Sequence, residues 1–128
     1  MNAPHIPKPV GPYSPARVHS QIVYTSGQIA MQADGQVVTE SISAETAQAL
    51  RNVQAVLEAN AASMASVFSV IVYLTDMADF AAMNQVYTEF FAEPYPARTC
   101  VAVVGLPKGA RVEIAATACK IMIWDVVA

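Results

Sequence analysis

The sequence predicts an α+β fold, with two helices packed on one face of a mixed β-sheet. Three observations carry this prediction. Runs rich in β-branched and aromatic residues, such as Val67-Phe68-Ser69-Val70-Ile71-Val72-Tyr73-Leu74-Thr75, read as strands. Two other segments repeat apolar residues at helical spacing. The order is strands, helix, strand, helix, strands, which suits a sheet covered by helices on one side. A chain of 128 residues suits one domain, read as 1–128 with a proline-rich arm at 1–16 and an apolar tail at 121–128.

The arm carries Pro4, Pro7, Pro9, Pro12 and Pro15, a density that no helix or central strand tolerates. Gln21-Ile22-Val23-Tyr24-Thr25-Ser26 follows as a strand ending at Gly27. The same reading extends it through 29–31, turns at Ala33-Asp34-Gly35 and returns along 36–39, opening a β-meander. A helix is predicted over 44–60. Ser43 is its N-cap, and Glu45 sits in the first turn, where the helix dipole favours an anion. Ala47, Leu50, Val53 and Leu57 form its apolar face; Gln48, Arg51, Asn52 and Glu58 form the other. Residues 67–75 make a buried strand. Asp76 caps the second helix, with Asp79 as a capping-box partner. Phe80, Met83, Tyr87, Phe90 and Phe91 are its stripe, and Pro94 and Pro96 end it. Two last apolar runs, starting near Arg98 and Ala110, are joined by a Leu106-Pro107-Lys108-Gly109 turn, and the second reaches about residue 121.

Hydrophobic residues make up 55% of the chain and charged residues 13%, against typical values of about 45–50% and about 25%. That is little charge to cover a monomer, so a homo-oligomer is expected; a bound ligand or partner chain is the alternative. The net charge is −3, the pI is near 5.2 and no basic run occurs, which disfavours nucleic acid as a partner. The longest uncharged stretch, 59–75, is broken by Asn60, Ser63, Ser66 and Ser69 and is no membrane span. The first eight residues lack the layout of a signal peptide, so a cytoplasmic location is expected. Cys100 and Cys119 give neither metal spacing nor a disulfide framework, and His5 and His19 lie in the polar N-terminal part, so no metal site is expected.

An ionised side chain in an apolar strand is costly unless it meets a partner or a ligand. Arg98 and Glu113 are two such residues. Arg98 is either an edge cation paired with a surface carboxylate or a bidentate clamp on a small acid. Glu113 is either solvated or a proton-transfer and water-holding group. Its neighbours Val112, Ile114, Ala115 and Ala116 argue against solvation on both faces. If residues 106–110 close a simple hairpin, Arg98 pairs near Cys119, about 20 Å from Glu113 at roughly 3.3 Å per residue. No three-carbon acid bridges that distance, so the two can act on one molecule only from different subunits.

Other candidates keep two readings each. Tyr13, in Gly11-Pro12-Tyr13-Ser14, either packs its ring or delivers a hydroxyl to a pocket. Gly27 either ends a strand or admits a ligand close to the backbone. Asn84, beside the aromatic stripe, reads first as a structural hydrogen bonder. Cys100 shares a strand face with Arg98 and, with no histidine placed to make a thiolate, reads as small filler or a backbone contact; Cys119 reads as filler. Met31, Met64, Met77 and Met83 are core or interface filler. Gly105-Leu106-Pro107-Lys108-Gly109 lacks the spacing of a phosphate loop.

Six pieces in order carry a family resemblance: Gly11-Pro12-Tyr13-Ser14, Thr25-Ser26-Gly27-Gln28-Ile29, Thr75-Asp76-Met77-Ala78-Asp79-Phe80, Asn84-Gln85-Val86-Tyr87, Pro96-Ala97-Arg98-Thr99-Cys100 and Leu106-Pro107-Lys108-Gly109-Ala110-Arg111-Val112-Glu113-Ile114. With them the chain resembles the Rid family, the reactive intermediate deaminases or YjgF-like, RidA-type proteins. The resemblance implies a homotrimer of chorismate-mutase-like α+β fold with sites between subunits. It implies hydrolysis of 2-imino acids (2-iminopropanoate, 2-iminobutanoate) and their enamine tautomers such as 2-aminoacrylate to 2-keto acids and ammonia, a metabolite damage-control role. Those intermediates leave pyridoxal-phosphate-dependent dehydratases, and the Rid protein itself carries no cofactor. By position, Arg98 holds the substrate carboxylate, Glu113 orients water and moves protons, and Tyr13 joins them as a catalytic residue. Gly27, Asn84 and the Cys100 backbone complete the substrate-binding pocket. Two alternatives accompany this reading: a non-catalytic keto-acid-binding or chaperone-like module, and an endoribonuclease, which the acidic pI and the lack of a histidine pair disfavour. Three features depart from the family pattern: Pro15 where members often have Gln, Ala30-Met31 in place of a proline-containing turn start, and the long apolar tail from Ile121.

Overall fold

In the computed structural model, residues 6–121 are described. Along them run β1 (Ala16–His19), β2 (Ile22–Thr25), α1 (Ile42–Glu58), β3 (Val67–Leu74), α2 (Phe80–Tyr87), β4 (Ala97–Ala102) and β5 (Val112–Cys119). They form a five-stranded sheet of order β1-β2-β5-β3-β4. All neighbours are antiparallel except β3 and β4, which are parallel, so the sheet is mixed as expected. Alternation along β3 and β5 turns Val70, Val72, Leu74, Val112, Ile114, Ala116 and Ala118 to one face. There they meet Leu50, Val53 and Leu57 of α1 and Met83 and Val86 of α2 in one core. Burying each large side chain fully contributes about 1.5–3 kcal/mol. The other face carries Tyr24, Ile71, Tyr73, Val101, Ala115 and Thr117, and neither helix covers it.

The strand pairing corrects one expectation. β4 and β5 do not form a hairpin, because β3 lies between them. β3, α2 and β4 form a crossover unit, and such a unit delivers its second strand parallel to its first. Residues 103–111 then return across the end of β3, where the Val103 N–H donates to the Leu74 carbonyl at 2.8 Å and the Thr75 N–H to the Arg111 carbonyl at 3.1 Å. This return holds a 3-10 turn, Pro107–Gly109, with Lys108 at φ 57° and Gly109 at φ 68°. Arg98 therefore pairs with Val70, and Cys119 pairs with Ile22.

Smaller departures follow, and at Asn52 and Glu45 the cause is capture of a polar side chain by distant backbone. The arm gives way at Ala16 to β1, which pairs with β2. Residues 29–39 form no strand beyond an isolated Met31–Val37 bridge. The buried side chain of Asn52 holds this stretch instead, donating to the carbonyls of Ile29 at 3.0 Å and Met31 at 2.7 Å. Asn52 was expected on the polar face of α1; those two carbonyls draw it inside. The N-cap of α1 is Ser41, whose Oγ accepts from the Ala44 N–H at 3.0 Å, and Ser43 lies exposed in the first turn. Glu45 is buried and ion-paired with Arg111, whose backbone N–H also donates to it at 3.2 Å. Asp76 caps a 3-10 turn, Met77–Asp79, accepting from the Ala78 N–H at 2.9 Å, while Asp79 makes no side-chain cap. α2 ends at Tyr87, so Phe90 and Phe91 lie past it, with Phe91 folded back onto the Tyr87 ring. The tail after residue 121 lies outside the described residues.

Candidate functional site

Glu113 follows directly on the Arg111–Glu45 anchor, at the start of β5. Paired with Tyr73, it points away from the helices. The Gln28 N–H donates to the Ile114 carbonyl at 2.8 Å and the Ile114 N–H returns to Gln28 at 3.0 Å, so Gly27 passes beside it. A Cβ on Gly27 would lie 2.3 Å from Glu113 Oε2, so only glycine leaves room for the carboxylate. The arm closes over this place. Ser26 donates through its N–H to the Pro15 carbonyl at 2.8 Å and through its hydroxyl to the Ser14 carbonyl at 2.5 Å. Pro15, the departure from the family pattern, thus serves through its carbonyl. Tyr13, about half exposed, folds back so that its hydroxyl accepts from the Val10 N–H at 3.4 Å. Lys8, Tyr13, Gly27, Gln28 and Glu113 share the walls of a cleft of about 30 Å³, room for one or two water molecules. The Glu113 carboxylate is half-buried, and this burial raises its pKa above the usual carboxylate range.

Arg98 stands on the opposite face of the sheet. Its pairing with Val70 turns it toward the helices, at the open edge of β4. Its guanidinium lies over two aromatic rings, with Cζ 4.7 Å from the Tyr87 centroid and 5.6 Å from the Phe80 centroid. It makes no ion pair among the described residues. Aromatic faces attract a cation without occupying its N–H donors, so the fork stays free for an incoming anion. Asn84, Tyr87, Thr88, Tyr95, Pro96 and Arg98 line a cavity of about 270 Å³. Asn84 makes no side-chain hydrogen bond among the described residues, so the structural role read for its amide finds no partner there. Cys100 sits two positions on from Arg98, half-buried on the same face, and burial pushes its thiol pKa up against the pull of Arg98. Among the described residues, no three His, Cys, Asp or Glu side chains gather to hold a metal ion.

The six candidates thus fall into two groups. Tyr13, Gly27 and Glu113 meet at one cleft; Asn84, Arg98 and Cys100 lie together on the other face. Arg98 and Glu113 are separated by two strand spacings and three register positions, about 10 Å in each direction. The long strand separation expected from a hairpin is not found; the two residues lie instead on opposite faces of the sheet. Sequence reasoning placed Phe80 and Tyr87 in the core stripe; their packing against Arg98 is visible only in three dimensions. It passed over Lys8 and Gln28 altogether, although Gln28 stands inside the Thr25-Ser26-Gly27-Gln28-Ile29 match.

The structure thus sets a guanidinium with no ion pair among the described residues on one face of a mixed α+β sheet, and a half-buried carboxylate beside a water-sized cleft on the other. The comparisons narrow the class. The model of the family described as Endoribonuclease L-PSP matches residues 3–120. The chain is 45% identical over 115 residues to the 2-iminobutanoate/2-iminopropanoate deaminase of Dermatophagoides farinae, covering 89% of this chain and 90% of that one. RidA from the Antarctic bacterium Psychrobacter sp. matches with a TM-score of 0.88 at 37% identity, over 93% of this chain and 97% of that one. TdcF of E. coli with bound serine matches at 0.87 and 34%, over 94% and 98%. The chain belongs to this family, the YjgF/RidA or Rid family, and has its chorismate-mutase-like α+β fold.

Proposed function

We propose that this protein hydrolyses small 2-imino acids and their enamine tautomers to 2-keto acids and ammonia, at a site built between two copies of the chain in a homotrimer. The observation that carries the reading is the split site: a clamp without its acid on one face, an acid without its clamp on the other. Juxtaposing two copies supplies each half with the other. The uncovered apolar face of the sheet supports association, with Ile71 38% and Val101 39% exposed. The names of the deaminase relatives support the reaction, and the serine bound to TdcF, a small amino acid, supports the ligand class.

In this reading Arg98 binds the substrate carboxylate bidentately. Asn84 and the Cys100 backbone border the same pocket, and Tyr13 and Gly27 border the water side. Glu113 takes one proton from water as its oxygen adds to the imine carbon and delivers it to the nitrogen, giving a neutral carbinolamine. It then relays the carbinolamine's hydroxyl proton to the same nitrogen as the C–N bond breaks, which releases ammonia and leaves the keto acid. An imine carbon is already electrophilic, so holding water against an anchored substrate is the main requirement. A carboxylate with a raised pKa suits both proton steps near neutral pH. No cofactor enters this chemistry. The proposed partners are the pyridoxal-phosphate-dependent dehydratases that release such imines, and the proposed location is the cytoplasm. No helix among the described residues is long and apolar enough to cross a membrane.

The test couples the purified protein to a threonine dehydratase and follows 2-oxobutanoate. Acceleration over spontaneous hydrolysis is expected, with Arg98→Ala abolishing it. Absence of acceleration, combined with calorimetric binding of 2-oxobutanoate, would leave a keto-acid-binding module instead.

A further inference from the structure

Tyr87 is a buried polar residue that the reaction above does not use. It sits in the apolar layer of Met83, Val86 and Phe91 and is only 5% exposed. Its hydroxyl finds no hydrogen-bond partner among the described residues. Burial raises its pKa, against the opposing charge of Arg98 and the approach of that guanidinium to the hydroxyl, so the side chain stays a neutral phenol at neutral pH. The ring is held in place. Phe91 packs against it with centroids 4.6 Å apart at 37°. Its other contact is the Arg98 guanidinium, 4.7 Å from the ring centroid.

Arg98 is a long side chain at a sheet edge with no ion-paired acid among the described residues to direct it. An acid in that role would compete with the substrate carboxylate. A ring face directs the cation and leaves its donors free. Phe80 stands farther off, at 5.6 Å, and is more than one-third exposed, so it constrains the guanidinium less.

We propose that Tyr87 is a positioning residue for the carboxylate clamp: its immobilised ring face sets the direction in which Arg98 presents its N–H fork to the cavity bordered by Asn84, Thr88 and Tyr95. The inference rests on the reading of Arg98 as the carboxylate clamp. Tyr87 does not touch the reacting atoms, so its loss acts on binding and leaves the proton steps alone. A flexible aliphatic chain at position 87 lets the guanidinium wander, and the substrate must then order it on binding.

The experiment compares full-length wild type, Tyr87→Phe, Tyr87→Leu and a form with 3,4,5-trifluorophenylalanine at position 87. The readouts are dehydratase-coupled turnover and calorimetric binding of 2-oxobutanoate. Tyr87→Phe keeps the ring and should hold KM and Kd within about threefold of wild type. Tyr87→Leu should raise both about tenfold, with kcat changed less than threefold. The fluorinated ring keeps shape and burial but loses its negative face, so it should raise Kd relative to Tyr87→Phe with an unchanged melting temperature. That comparison stands even where Tyr87→Leu fails to fold. Equal Kd for the fluorinated form and Tyr87→Phe overturns the role of Tyr87. Wild-type protein that neither binds 2-oxobutanoate nor hydrolyses the imine overturns the reading of the site itself.

Discussion

Glu113 lives in a medium that disfavours its charge, and this has two consequences at the scale of the residue. Its pKa in the folded protein is raised by burial, while in the unfolded chain it titrates near the ordinary value of about 4.3. Between those two values the folded state binds more protons than the unfolded one, so this group makes stability fall as pH rises through that window and then level off. Glu113→Gln should remove that slope, which urea midpoints measured from acid to neutral pH will show. In the wild type, the acidic limb of the kcat/KM profile should lie above an ordinary carboxylate titration. Gly27→Ala is a second prediction at this scale. The new Cβ would stand 2.3 Å from Glu113 Oε2, which displaces the carboxylate by an ångström or so. Misplacement of that size costs up to ~10²-fold in rate, so kcat should fall steeply while keto-acid affinity, set by Arg98, changes little. Gly27 was legible as a place of close backbone approach. That the group approaching it is Glu113 was not, because the two lie far apart along the chain.

At the scale of elements, polar pins hold the site's irregular segments. Asn52 reaches from α1 to the carbonyls of Ile29 and Met31, steadied by Gln48, whose Nε2 donates to Asn52 Oδ1 at 2.9 Å. The segment it holds walls the Glu113 cleft. Asn52→Ala leaves those carbonyls without their donor, which should destabilise the fold by about 1–3 kcal/mol and lower kcat/KM together. Chemical denaturation with an unchanged m-value is the check. A fully preserved midpoint would mean water replaces the amide. Glu45 plays a matching part for β5, tying the chain at Arg111 two positions before Glu113. Helical spacing put Asn52 among polar neighbours and Glu45 at a helix start. Periodicity reports the average face of a helix, and it misses a polar side chain whose partner is a carbonyl or guanidinium in another element.

At the scale of the whole molecule, the sheet stands between Arg98 on one face and Glu113 on the other, the two halves of the proposed site. Ile71→Lys places a charge in the middle of the uncovered apolar face. Light scattering should then show a shift from the proposed trimer to monomer, with activity lost although neither Arg98 nor Glu113 is touched. Co-expression of Arg98→Ala with Glu113→Ala chains gives a sharper prediction. Each is inactive alone, but mixed oligomers contain interfaces that pair an intact clamp with an intact acid. Partial activity should return in the mixture, and a mixture as inactive as its parents would place both groups in one subunit's site. The low charge content led to the expectation of association, since composition is a property of the chain. It could not say which surface is left uncovered.

What the sequence determined by itself was whatever depends on near neighbours along the chain. The β-branched run of residues 67–75, the helical stripe through Leu50, Val53 and Leu57, and the two charges out of place at Arg98 and Glu113 all follow from local propensity, side-chain direction and the cost of an apolar setting. The tertiary structure alone decided which strands are neighbours. Pairing is settled by how the crossover through α2 and the return over 103–111 close the core, and no local pattern encodes it. That choice set β3 between β4 and β5, turned Arg98 to the helices and Glu113 away from them, and so put the two charges on opposite faces of one sheet.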